Sequence, residues 1–364
     1  MKIGIISFTA RGTRLCCHLA SRLSGGVDEC TAFVPERYSD TYDKTGDMEG
    51  VVRCQDMPLG QWTKTMFREQ RAMVFVGAVG IAVRAIAPFV RDKMTDPPVV
   101  VVDEAGRFSI PILSGHVGGA NALASRIGEC IGAVPVITTA TDVNGLFAVD
   151  VFAAENGLVL TDREAAKQVS ARILDGGNVG FFNEFEGGEP GVPRGCCKNP
   201  SEYNIWVTVK DSSLEFERRV GAVGSRHVLR LIPQAVVAGV GCRRGVEPFV
   251  LERQVLECFR KHGIDPASVK ALATIDIKKE EPALLALAQK RGWTLRFYSA
   301  AELGDVGGTF TESAFVEQTV GIGNVCERAC MAEGGRMLFG KEAGGGVTVA
   351  AAVEPFKLDI EKYI

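Results

Sequence analysis

The chain has 364 residues, 46% hydrophobic and 23% charged, with a formal net charge of −3. That length suffices for two or three domains with separate cores, and the composition is that of an ordinary soluble globular protein. Balanced charge without a Lys/Arg cluster argues against a nucleic-acid partner, and no apolar run approaches the roughly 20 residues that span a bilayer.

The chain opens on "KIGIISF" (Lys2–Phe8), read as a strand, followed by the loop "TARGT" and a helix through "LCCHLASRL". "AMVFVGAVG" (Ala72–Gly80) is a buried strand entering a glycine turn, and "IAVRAIAPFV" continues as a helix stopped near Pro88. "PVVVVDEAGRFSIPIL" reads as a hairpin with "DEAG" at its turn. "ILSGHVGGANALASRIG" (Ile112–Gly128) is a glycine turn into a helix, and "VPVITTATD" is a strand ending in hydroxyls and Asp142. From Asn144, "LFAVDVFAAENGLVL" precedes a helix through "DREAAKQVSARIL". Residues 184–202 are rich in Gly and Pro and read as a mobile loop. "YNIWVTV" and "HVLRLIP" read as strands around a short charged segment.

A third part opens at "AVVAGVGCRRGVEPFVLERQVLECF", with a strand ending at Gly239 and a loop carrying Arg243 and Arg244. Leu251, Val255, Cys258 and Phe259 then repeat at helical spacing and mark one buried face. The strand "VKALATIDI", the helix "EPALLALAQKRG", the strand "TLRFYSA", a glycine turn into the helix of "VGIGNVCERACMAEGG" and the strand "GVTVAAAVEP" complete the chain. Asn324 and Glu327 have capping-box spacing, with Asn in place of Ser or Thr. Strands alternating with helices predict an α/β, multi-domain fold. N-terminal (1–143) and C-terminal (233–364) α/β domains of strand–glycine turn–helix units flank a smaller middle module (144–232).

The N-terminal apolar run is too short for a signal peptide, so a cytoplasmic protein is expected. Eleven cysteines fit that compartment; several lie on helix faces as small hydrophobes, and none has zinc spacing, so no metal site is expected. "GVGCRRG" places Arg244 where a dinucleotide fingerprint needs its third glycine, and no P-loop is present.

Three glycine turns remain as anion-site candidates, because their backbone N–H groups point outward at helix starts. They are Gly77–Gly80, Ser114–Asn121 and Gly321–Asn324, with Arg84, Arg243 and Arg244 as carboxylate partners. Each turn equally suits plain α/β closure. His116 is the acid–base candidate, lying beside Gly115, Gly118 and Gly119, where its ring stays accessible. A histidine that only caps the turn is the competing reading. His18, His227 and His262 are expected at the surface. No nucleophile elbow surrounds Ser114.

Together, the block from Gly77 to Gly128, "VAGVGCRRG", "ATIDIKKEEPALLALA" and "VGIGNVCERACMAEGG" resemble the cobalt-precorrin 5A hydrolases of anaerobic cobalamin biosynthesis. The family's "SGHxGGAN" pattern occurs as Ser114–Asn121, its glycine/arginine loop as Gly239–Gly245 and its "TIDxK" segment as Thr274–Lys278. The C-terminal segment is also similar to a stand-alone protein of the aerobic pathway. The resemblance implies a cobalt-bearing tetrapyrrole substrate with a ring-A δ-lactone. Water would open the lactone, and C20 with its methyl would leave as acetaldehyde, giving cobalt-precorrin 5B. The substrate carries the cobalt, so no cofactor is implied.

On this reading His116 is the general base, and Asp142 orients it, replaces it as base, or only caps a turn. The N–H groups of Gly118 and Gly119 would hold the lactone oxyanion. The expected substrate-binding set is Gly77, Gly80, Arg84, Ser114, Gly115, Gly118, Gly119, Asn121, Gly239, Gly241, Arg243, Arg244, Asp276, Lys278, Gly321, Gly323 and Asn324. A homodimer and transient contacts with neighbouring pathway enzymes are further expectations. A non-catalytic corrinoid carrier and a nucleotide-binding oxidoreductase are the competing functions.

Overall fold

The structure, a computed structural model, describes residues 1–24, 28–41, 52–55, 57–92, 95–116, 118–185, 191–220 and 227–364. The chain divides into two compact units, Met1–Gly145 and Leu146–Ile364. Among the described residues no helix is long and apolar enough to cross a membrane.

The first unit is built from β1 (Lys2–Ser7), α1 (Ala10–Leu23), β2 (Glu29–Pro35), β3 (Val52–Gln55), α2 (Leu59–Arg68), β4 (Ala72–Val76) and α3 (Val79–Ile86). It continues with β5 (Val99–Val102), β6 (Phe108–Leu113), α4 (Ala120–Ile131), β7 (Val134–Pro135) and α5 (Ala140–Val143). Among the described residues its sheet runs β3-β2-β1-β4-β5-β6-β7. β1 to β5 are parallel, whereas β6 returns antiparallel to β5. Side-chain alternation splits the core between the two faces. Ile3, Ile5, Val74 and Val100 pack with α1 and α4, while Ile6, Met73, Phe75 and Val99 pack with Trp62 and Met66 of α2 and with α3. Cys16, Cys17 and Cys30 are buried free thiols in this core.

The expected β5–β6 hairpin is present, and Asp103 holds its turn. Asp103 Oδ1 accepts the N–H groups of Arg107 and Phe108 at 2.7 Å each, and Oδ2 accepts that of Ala105 at 3.3 Å. Burial raises the pKa of this carboxyl, but the backbone donors outweigh it and hold it below its ordinary value. Its stabilisation is therefore present above the unfolded pKa of about 3.9 and is lost as pH falls through the lower folded value. Asp103→Asn is expected to lower Tm at pH 7 by roughly 3 °C and to flatten the acid limb of a Tm–pH series. An acid limb identical to wild type would count against this account.

The expected strand "VPVITTATD" shrinks to β7. Only Phe108 and Ser109 of β6 pair with it, Val134 is 57% exposed, and Thr139 leads into the single turn of α5 instead.

The second unit carries two sheets. The first comprises α6 (Val149–Glu155), β8 (Leu158–Leu160), α7 (Arg163–Leu174), β9 (Val179–Asn183), β10 (Cys196–Cys197), β11 (Tyr203–Val207), α8 (Ser213–Val220) and β12 (His227–Pro233), in sheet order β10-β9-β11-β12-β8. β10 lies within the stretch read as a mobile loop and pairs with β9, so that expectation is corrected for residues 196–197; residues 186–190 lie outside the described ones. α8 occupies the segment read only as charged, anchored by Phe216 against Trp206 and Phe182. Phe147, Phe152 and Phe181 form the core with Leu358 and Ile360, so the chain end returns here, and Tyr363 meets Phe152 edge-on at 5.1 Å.

The last sheet takes β13 (Val236–Cys242), α9 (Pro248–Lys261), β14 (Val269–Ile275), α10 (Pro282–Arg291), β15 (Thr294–Tyr298), α11 (Ala300–Gly304), α12 (Ala314–Val320), α13 (Cys326–Met331), β16 (Arg336–Gly344) and β17 (Val347–Val353). Its order is β15-β14-β13-β17-β16, with β13, β14 and β15 parallel and β17 antiparallel to β13. Leu251, Val255, Cys258 and Phe259 are all buried, as their spacing predicts, and pack with α10 on one face. α13 covers the other. β13 continues past Gly239 to Cys242. The chain leaves β13 through α9 to β14 on one side and reaches it again through β17 on the other. A crevice therefore opens beyond the carboxyl ends of β13 and β14, the usual ligand position in open α/β sheets.

Candidate functional site

The first cluster lies in the N-terminal unit, where β6 turns into α4. Close backbone packing requires glycine here: a Cβ on Gly118 would lie 2.3 Å from Ser114 Cβ and 2.7 Å from Ser114 O. Gly119 starts α4 at φ +88°, a region that favours glycine. The Ser114 hydroxyl donates to the Asp96 carbonyl at 2.7 Å. The Gly119 N–H donates to His116 O at 2.8 Å. That bond corrects the expectation for Gly119, because an N–H closing the turn cannot also serve an oxyanion in this conformation. Val117 lies outside the described residues.

His116 Nε2 lies 2.8 Å from Asp142 Oδ2 and 3.1 Å from Thr141 Oγ1. The same Asp142 oxygen accepts from Asn121 Nδ2 at 2.9 Å and from the Thr139 hydroxyl, and Asn121 Nδ2 also donates to Thr139 Oγ1 at 2.8 Å. α5 carries Asp142 and α4 carries Asn121, so the cluster is held on two helices rather than by the loop alone. A carboxylate at Nε2 favours the Nε2–H tautomer of a neutral ring. His116 is 20% exposed and Asp142 41%, so water reaches the pair. Thr139 and Thr141 were not among the expected site residues; the only sequence signal was a hydroxyl-rich run ending at Asp142.

Gly77, Gly80 and Arg84 do not join this cluster. Gly77 N–H bonds Val102 O at the carboxyl end of β4, whereas Leu113 pairs with Val99 at the opposite end of β5. The reversal of β6 separates the two glycine turns by the height of the sheet. Arg84 Nη1 bonds its own helix at Gly80 O, 3.3 Å away.

The second cluster is the crevice beyond β13 and β14, a cleft of about 1110 Å³. Of the expected residues, Gly241, Arg243, Arg244 and Lys278 line it; Asp276 falls between two lining residues without reaching the wall. Gly239 is instead a packing glycine, since a Cβ there would lie 1.8 Å from Cys326 O. Gly321 ends α12 at φ +81°, and Gly323 packs on the Glu312 carboxyl.

Asn324 is buried and serves structure. Its Nδ2 donates to Thr311 O and Glu327 Oε2, and its Oδ1 accepts the Glu327 N–H at 2.9 Å. The capping half expected of Asn324 is therefore made. The buried Glu327 carboxylate does not return the bond and accepts Thr311 N–H at 2.7 Å and Lys341 N–H at 2.6 Å.

Sequence reasoning missed Thr274, Glu281 and Lys341 in the cleft wall. Glu281 pairs with Lys278 at 3.2 Å through Oε2 and takes the Gly245 N–H at 3.0 Å through Oε1, tying two cleft loops together. The cleft thiols stay protonated: burial raises the Cys242 pKa and pushes that of Cys326 up to about 11. Of the remaining histidines, His18 is exposed. His227 and His262 are half-buried, because aromatic stacking covers them: His227 lies on Tyr203 at 4.6 Å and His262 on Phe339 at 4.4 Å.

Three family models account for most of the chain. The cobalamin synthesis G N-terminal model matches residues 61–142, the cobalamin biosynthesis central region 147–233 and the cobalamin synthesis G C-terminus 236–352. Fold and matches define an α/β protein of cobalamin biosynthesis. A cobalt-precorrin-5A hydrolase from Salmonella typhimurium is 33% identical over 363 residues, covering 96% of this chain and 97% of the relative. Another from Priestia megaterium is 30% identical, covering 88% of each. Protein CobE from a Sinorhizobium species is 29% identical over 132 residues, 35% of this chain and 86% of its own. The chain belongs to the cobalt-precorrin-5A hydrolase family.

Proposed function

We propose that the protein opens the ring-A δ-lactone of cobalt-precorrin-5A and releases acetaldehyde to form cobalt-precorrin-5B. The observation that carries this reading is the 2.8 Å contact of His116 Nε2 with Asp142, which holds an imidazole against a carboxylate in a water-accessible turn. The His116 imidazole takes a proton from water as the water oxygen adds to the lactone carbonyl. The ester C–O bond breaks, leaving a ring-A acetate and a hydroxyl on C20. Loss of that hydroxyl proton drives cleavage of the carbon–carbon bond to the macrocycle; the bonding electron pair and a proton stay with the ring, and the two-carbon unit leaves as acetaldehyde. Asp142 orients the imidazole and stabilises its protonated form, as a carboxylate behind a catalytic histidine does. Cobalt enters as part of the substrate, and no resident cofactor takes part.

The test is anaerobic incubation with cobalt-precorrin-5A, with acetaldehyde followed by a coupled alcohol dehydrogenase. Stoichiometric acetaldehyde is expected. Tight substrate binding without acetaldehyde would replace this reading with that of a corrinoid carrier.

A further inference from the structure

Asp142 stands on a support that packing alone does not hold. α5 is a single turn of four residues, of which only Thr141 is buried. An exposed carboxylate on such a turn moves among its rotamers within nanoseconds, yet His116 meets it in one of them.

The local bonding departs from what the spacing offers. Thr139 is the N-cap of α5, and Asp142 follows three residues later, as in a capping box. An N-cap threonine ordinarily accepts an N–H of the first turn, a bond whose loss costs roughly 1 kcal/mol. Thr139 makes no such side-chain bond. Its hydroxyl donates to Asp142 Oδ2 instead, so the turn goes uncapped while the carboxylate is held.

A second donor comes from a firmer element. α4 is anchored in the core through Leu123, Ala124 and Ile127. Asn121 of that helix gives its two amide protons to Thr139 Oγ1 at 2.8 Å and Asp142 Oδ2 at 2.9 Å. The amide lies against Gly115, where a Cβ would come within 2.8 Å of Asn121 Oδ1, and the Asn121 N–H donates to Gly115 O at 3.0 Å. Gly115 therefore leaves room for the amide, and the amide ties the carboxylate to the core.

We infer that Asn121 and Thr139 are positioning residues for His116. Acting through Asp142 Oδ2, they fix the carboxylate that sets the direction of the imidazole. Asn121 thereby holds Asp142 rather than substrate. The effect on rate rests on the hydrolase reading above; the effect on the ring does not.

The test is Thr139→Val in the full chain, which keeps the shape and removes the hydroxyl. Two readouts are taken: acetaldehyde release, and the ring nitrogen shifts of His116 by NMR, assigned by their loss in His116→Ala. The Asp142→Asn protein supplies the Nε2 shift of a ring without its carboxylate. In Thr139→Val the Nε2 shift should move toward that value. kcat should fall about tenfold, the scale of one lost bond to a charged group. KM should hold, and Tm should stay within about 2 °C. Thr139→Ser returns the hydroxyl and should restore both kcat and shift. Asn121→Leu should act as Thr139→Val does, and it carries the test if the valine protein fails to fold. A wild-type Nε2 shift in both variants overturns the inference, and a lower Tm alongside it would mark Thr139 as a plain cap. A moved shift in a chain that releases no acetaldehyde sinks the hydrolase reading alone. Acetaldehyde release by wild type with an unmoved shift in the variants sinks the positioning roles alone.

Discussion

His116→Ala is expected to lower acetaldehyde release by about 100-fold or more, the scale of a lost general base, with KM little changed. The ring lies 20% exposed on a turn whose shape is set by Gly118, Gly119 and the Ser114–Asp96 bond, none of which involves the imidazole. Tm should therefore stay within about 2 °C of wild type, since partly exposed substitutions usually cost little. Asp142→Asn is the companion variant. It keeps the shape but weakens the Oδ2 site that receives His116, Asn121 and Thr139. It should also lose activity, because the amide no longer fixes the tautomer with a charge. Turnover close to wild type by a folded His116→Ala protein would remove His116 from the chemistry.

Gly239→Ala is expected to destabilise the second unit by about 3 kcal/mol or more, a fall in Tm of roughly 10 °C. The added Cβ would lie 1.8 Å from Cys326 O, 2.8 Å from Cys326 C and 3.0 Å from Cys330 N. All three are backbone atoms of α13, so no side-chain rotation relieves the clash and the helix must lift from β13. Lifting it opens the core that Val237, Ala271, Cys326 and Ala350 share. A substrate-binding glycine would instead change KM at constant Tm. A melt within 2 °C of wild type would show that α13 can shift and that packing does not restrict this position.

Local pattern made much of the architecture legible. The α9 face of Leu251, Val255, Cys258 and Phe259 and the Asp103 hairpin turn are short-range signals, and both form as read. β16 gave no such signal. It is an edge strand whose pairing with β17 shifts register twice, so its residues do not alternate cleanly. β7 failed in the opposite direction: its apolar residues suggested a longer strand, but an edge position with Val134 and Val136 exposed gives them little to bury against.

The sequence by itself determined the α/β alternation, the glycine turn around His116 and, through "SGHVGGAN" and its companion blocks, the family. These are encoded in adjacent residues, where backbone freedom and side-chain period act directly. Only the tertiary structure decided which candidates meet. It brings Asp142 to His116 across 26 positions, assigns Gly239 and Asn324 to packing, and puts the Gly77 turn at the other end of the sheet. It also joins Thr274 and Lys341 to the arginine loop in one cleft. Strand order and direction set those distances, and they come from which apolar faces bury one another, a long-range outcome that no local spacing records.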